Sequence, residues 1–113
     1  MILLKDFLEK IDGKVLTTEV DISQTEIKDG YVSDLLSDVM GNAEEGQVWI
    51  TIMRHLNVVA VASLANLSAV VFAKSYQPED AVIKKANQEG ICLISTPLPT
   101  FQVAGILYEM LKK

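Results

Sequence analysis

Apolar residues fall at Leu4, Phe7, Leu8 and Ile11, three and four positions apart, and Gly13 follows them. That rhythm predicts an amphipathic helix over 2–11 that stops near the glycine. Next come two short β-prone pieces, 15–18 and 26–31, with Asp29-Gly30 read as turn chemistry. Val32, Leu35, Leu36, Val39 and Met40 return to helical spacing, so a helix over about 33–43 is expected, with Ser33 as its N-cap and "GNAEEG" as its end.

The second half alternates between two patterns. "QVWITIM" at 47–53, "SAVVFA" before Lys74 and "GICLIS" at 90–95 carry apolar side chains at consecutive positions. Such runs predict central strands covered on both faces. Between the first two lies "NVVAVASLANL", whose valines favour strand and whose alanines and length favour helix. A helix over 57–66 is expected, because it joins strands 47–53 and 69–74 by a right-handed crossover, whereas a strand would need a tight turn without glycine. Pro78, Glu79 and Asp80 open a further helix, with Val82, Ile83 and Ala86 on its inner face and Gly90 as its stop. Thr100, Val103, Ala104, Leu107, Tyr108 and Leu111 make a last stripe, with Lys112 and Lys113 at its end and either Pro99 or Thr100 at its start. The resulting order, α, two short β, α, then βαβαβα, is that of an α/β domain with a mainly parallel sheet.

Composition narrows the function classes. At 113 residues, half of them hydrophobic, the chain is expected to form one domain over 1–113 with its own core. Fifteen acids against ten bases give a formal charge of −5, without the basic field that a phosphate backbone demands, so nucleic acid is not an expected partner. Arg54, His55, Asn57 and Lys74 interrupt the most hydrophobic region, and Lys5, Asp6, Glu9 and Lys10 interrupt the first helix, so neither a membrane span nor a signal peptide is expected. The lone Cys92, between apolar neighbours, suits a reducing cytoplasm and reads as a small core residue.

The candidate chemistry gathers after the three central strands. Loops 53–57, 74–78 and 95–100 hold Arg54, His55, Asn57, Lys74, Ser75, Ser95, Thr96 and Thr100, a set of donors at the strand ends where ligands of open α/β sheets usually bind. They point to a small anionic ligand, a nucleotide among the candidates. The plainer reading makes Asn57 an N-cap, Arg54 a solvated charge, His55 a hydrogen-bonded loop residue, and Ser95, Thr96 and Thr100 turn and capping residues. Asp34 and Asp38, four apart, suggest first-turn helix acids more than metal ligands, and Met40, Met53 and Met110 suggest packing. Trp49 is read either as core or as an interface anchor. With one histidine, no nucleophile elbow, no glycine-rich phosphate loop and no zinc spacing, binding without turnover is expected, and no cofactor or metal.

The segments "GYVSDLLSDVM", "VWITIMRHLNVVAVASLANLSAVVF" and "EGICLISTPLPTFQVAGILYEML" together resemble the DRTGG domain family over nearly the whole chain. The resemblance implies a three-layer α/β sandwich related to the N-terminal domains of the Mur ligases, similar also to the N-terminal domain of the kinase for the histidine-containing phosphocarrier protein. It implies a regulatory, often dimeric module. Similar short members look like companions of iron-only hydrogenase and electron-transfer subunits, which gives an alternative reading as a ligand-free accessory subunit, homodimeric or bound to a redox enzyme. The family signature maps near 54–57 and 73–76, where this chain reads "RHLN" and "AKSY" without the glycine pair.

Overall fold

A computed structural model of the protein describes residues 1–112; Lys113, expected at the end of the last helix, lies outside the described residues. The elements in chain order are β1 (Ile2–Leu3), α1 (Leu4–Lys10), β2 (Lys14–Val15), β3 (Glu26–Ile27), β4 (Asp29–Val32), α2 (Leu36–Asn42), β5 (Gln47–Thr51), α3 (Asn57–Leu64), β6 (Ala69–Phe72), α4 (Asp80–Glu89), β7 (Leu93–Ser95) and α5 (Thr100–Leu111). Five strands make one sheet in the order β2-β7-β6-β5-β4. Strands β4 to β7 run parallel, and β2 closes one edge antiparallel to β7, with Lys14 opposite Ser95.

Alternation along the strands builds two cores. Val48, Ile50, Ala69, Val71 and Ile94 face α1 and α5, joined by Leu4, Phe7, Ile11, Val103 and Leu107. Trp49, Val70, Phe72 and Leu93 face α2, α3 and α4, joined by Val39, Val58, Ala62, Val82 and Ala86. The fold is therefore the expected three-layer sandwich, and period-2 alternation with apolar residues on both faces is why its strands read as unbroken hydrophobic runs. Trp49 is a core residue: its ring is fully buried and its Nε1–H donates to Ser33 O at 2.7 Å. The segment 57–64 is helical as expected, and Asn66 beyond its end takes a left-handed φ of 55°.

The structure corrects the reading of the first half. The expected strand 26–31 is two strands in different sheets, since Glu26–Ile27 pairs antiparallel with Ile2–Leu3 while Asp29–Val32 pairs in parallel with β5. Asp29-Gly30 is thus not a turn. Gly30 is needed for another reason, because a Cβ there would come within 2.6 Å of Leu107 Cδ2. The first helix starts at Leu4 because residues 2 and 3 are taken by that pairing, and the strand expected over 15–18 stops at Val15. Ser33 does not cap α2; its hydroxyl instead accepts from Leu35 N–H at 3.2 Å. Two predicted core stripes are only partly buried. Of the α2 stripe, Val39 is buried while Val32, Leu35 and Met40 are exposed, and Tyr108 of the α5 stripe is exposed as well.

Candidate ligand cleft

The chain steps from β4 to β5 to β6 to β7 with α2, α3 and α4 all on one face, and α5 then leaves β7 for the other face. The loops after β6 and β7 consequently diverge, the arrangement that opens a crevice at the carboxyl edge of an α/β sheet. Here main-chain hydrogen bonds bridge it. Lys74 N–H donates to Leu98 O at 2.9 Å and Ser75 N–H to Thr96 O at 2.8 Å. Both residues hold left-handed φ, 59° and 62°, within the segment over which the family signature maps.

The open space lies one strand over. A cleft of about 700 Å³ separates the loop after β5 from the start of α4, with Arg54 and His55 on one wall and Gln77, Pro78 and Glu79 on the other. Ile52, Met53 and Val82 give it an apolar floor. Arg54 is held in place by stacking, its Cζ 4.6 Å from the centroid of the Tyr76 ring. His55 does the capping expected of Asn57: its Nδ1 accepts from Asn57 N–H at 3.1 Å, and its carbonyl accepts from Val58 N–H at 2.9 Å. A neutral ring that accepts at Nδ1 carries its proton on Nε2, leaving one donor free for a ligand. The capping prediction failed because α3 begins at Asn57 itself, preceded by Leu56 already in helical conformation.

Loop 52–56 has a defined exit from the sheet. The Asp34 carboxylate accepts from Thr51 Oγ1 at 2.7 Å and Ile52 N–H at 3.0 Å, and Thr51 Oγ1 in turn accepts from Met53 N–H at 3.0 Å. Asp38 points elsewhere, accepting from Tyr31 OH at 2.9 Å and Asn42 Nδ2 at 3.0 Å. The two aspartates do not share a site, and among the described residues no group of three His, Cys, Asp or Glu side chains is placed to hold a metal. Nor is any helix long and apolar enough to cross a membrane among the described residues.

The eight candidate residues therefore divide. Arg54 and His55 meet in the cleft, while Asn57, Lys74 and Ser75 are exposed outside its lining and Thr100 begins α5 at half burial. Ser95 and Thr96 are buried; Thr96 Oγ1 donates to Ile11 O and accepts from Leu98 N–H at 3.2 Å, so this hydroxyl ties α1 to the loop after β7. Sequence reasoning missed Tyr76, Gln77 and Glu79 as neighbours of the cleft. The available signal was an aromatic and an amide in "KSYQPED", two and three residues after a lysine that drew attention instead.

A family model describing the DRTGG domain matches residues 6–110, and the chain belongs to that family. Among solved structures it is similar to the CBS and DRTGG domains of the regulatory region of Clostridium perfringens pyrophosphatase, complexed with the activator diadenosine tetraphosphate. The TM-score is 0.69 at 15% sequence identity, over 92% of this chain and 45% of that one, so this chain spans under half of that regulatory region. A search of curated proteins finds no match.

Proposed function

We propose that residues 1–113 act as one non-catalytic regulatory module of the DRTGG family, and that the cleft beside Arg54 and His55 takes a small anionic ligand of the nucleotide class. The observation that carries this reading is the stacked Arg54 next to a histidine with a free ring donor, above an apolar floor. Phosphate oxygens accept from Arg54 and His55, and a planar base covers Met53 and Val82. Glu79 on that wall repels phosphate and accepts from hydroxyl or amino groups, so it fits the sugar or base end and fixes the ligand's direction. The fold shared with a regulatory region crystallised with a dinucleotide activator supports the same class.

Calorimetry with mono- and dinucleotide polyphosphates tests it. Arg54→Ala with His55→Ala should weaken binding about ten- to hundredfold, the loss of one or two charge-assisted hydrogen bonds. Affinity unchanged in that double variant, or no binding by any nucleotide or phosphate, overturns the assignment.

A further inference from the structure

The cleft carries opposite charges on opposite walls. Of the residues that line it, Arg54 is the one cation and Glu79 the one carboxylate, while Lys74 and Lys84 stay outside the lining. Neither Arg54 nor Glu79 is paired: the ion pairs among the described residues are Lys85 with Glu89 and Lys112 with Glu109. The main-chain groups that could take up further anionic charge nearby are already committed. At the start of α3, Asn57 and Val58 N–H donate to His55 Nδ1 and to its carbonyl, and Val59 N–H donates to Leu56 O at 3.1 Å. The turn at Lys74 and Ser75 gives its two N–H groups to Leu98 O and Thr96 O. The positive end of α4 is met by two carboxylates, Glu79 as its N-cap residue and Asp80 in its first turn.

We infer, resting on the reading of this cleft as a nucleotide site, that it selects a nucleoside bearing a single phosphate and turns away polyphosphates, with Glu79 as the residue that discriminates. A phosphate monoester carries about two negative charges at neutral pH, which the Arg54 guanidinium and the Nε2–H of His55 can meet together. Each further phosphate adds charge with no second cation in the lining to receive it, and a chain of phosphates that reaches across the cleft arrives at Glu79 and Asp80. Space does not set this limit, because a cleft of about 700 Å³ has room for a longer ligand. Charge does. The net charge of −5 on the whole chain adds repulsion in the same direction. Glu79 also has an attractive part in the selection: its carboxylate accepts from sugar hydroxyls, so it favours the ligand that turns its sugar toward α4 and its phosphate toward Arg54.

Calorimetry of the intact chain with adenosine monophosphate and adenosine triphosphate tests the selection, in a buffer with chelator so that no divalent cation masks the phosphates. The monophosphate should bind about tenfold tighter than the triphosphate. Glu79→Gln should narrow that gap about threefold by tightening the triphosphate, since the amide keeps an acceptor for the sugar and removes the charge. Glu79 is exposed, so far-UV circular dichroism should be unchanged; should that variant not fold, Asp80→Asn, also exposed, reads the same repulsion. A triphosphate that binds as tightly as the monophosphate, or a gap that neither substitution moves, overturns the selection. If the triphosphate then loses affinity in Arg54→Ala with His55→Ala, the nucleotide reading outlives that failure; if neither nucleotide binds, both fall.

Discussion

Cys92 shows how much one side chain's surroundings decide. Burial pushes its thiol up from 9.0 to about 11, partly offset by the Thr17 hydroxyl, so the folded protein holds the uncharged form. A raised value means that this contribution to stability is intact below pH 9 and is lost as pH rises through about 11. The difference corresponds to about 3 kcal/mol at most. Urea unfolding at pH 8 and at pH 11 should show the loss in the parent and a smaller one in Cys92→Ala; equal losses would put the alkaline sensitivity elsewhere. The same burial explains why a cysteine in "GICLIS" reads correctly as packing. It precedes β7, whose residues alternate between two filled faces, and its side chain is left only 4% exposed.

Among the elements, the turn after β6 is the one whose chemistry the sequence disguises. Lys74 and Ser75 hold two successive left-handed conformations, which cost a residue with a Cβ about 1 kcal/mol or more each and cost glycine nothing. Their N–H groups tie this turn to loop 96–99, and those bonds hold the strained pair in place. Glycine at both positions should therefore stabilise the fold by about 1 kcal/mol, after subtracting the extra freedom glycine gains in the unfolded chain. A urea midpoint that falls in Lys74→Gly/Ser75→Gly would show that the side chains, rather than the backbone, hold the turn. By contrast, the end of α4 was legible: Gly90 takes φ 73° in open space, as a helix-stopping glycine does.

For the molecule as a whole, two carboxylates held below their ordinary value contribute to acid stability: Asp21, which accepts from Ser23 N–H, and Asp38, which fastens α2 to the sheet. Hydrogen bonds from Ser33 and then Tyr31 hold the Asp38 carboxyl below its ordinary value of 3.8, and the same contact raises Tyr31 above 10.0. A depressed carboxylate stabilises the fold fully above pH 3.8, and that contribution is lost as pH falls through the lower folded value. Asp38→Asn should therefore flatten the stability profile on the acid side, read as melting temperature against pH; an unchanged acid slope would show that this tether does not govern it. The alkaline side should be governed by Cys92 and Tyr31 together, with stability declining above pH 9.

Spacing and composition by themselves determined the α/β class, the parallel core strands and the crossover helix over 57–64, because those depend on local period and on which residues avoid water. Partnering was beyond their reach. Residues 26–31 read as one β-prone piece, yet Lys28 marks a change of sheet, since which neighbour a strand finds depends on chain returning from elsewhere in the fold. Thr96 and Arg54 look equally available as donors in sequence; one is consumed by the carbonyl of Ile11 and the other is stacked at an open cleft. Val32, Leu35, Met40 and Tyr108 obey helical or strand periodicity as well as Val39 and Leu107 do, and only the packed structure separates those with a neighbour in this chain from those still facing water. A periodic pattern specifies a face; what covers that face is settled by the three-dimensional assembly of layers.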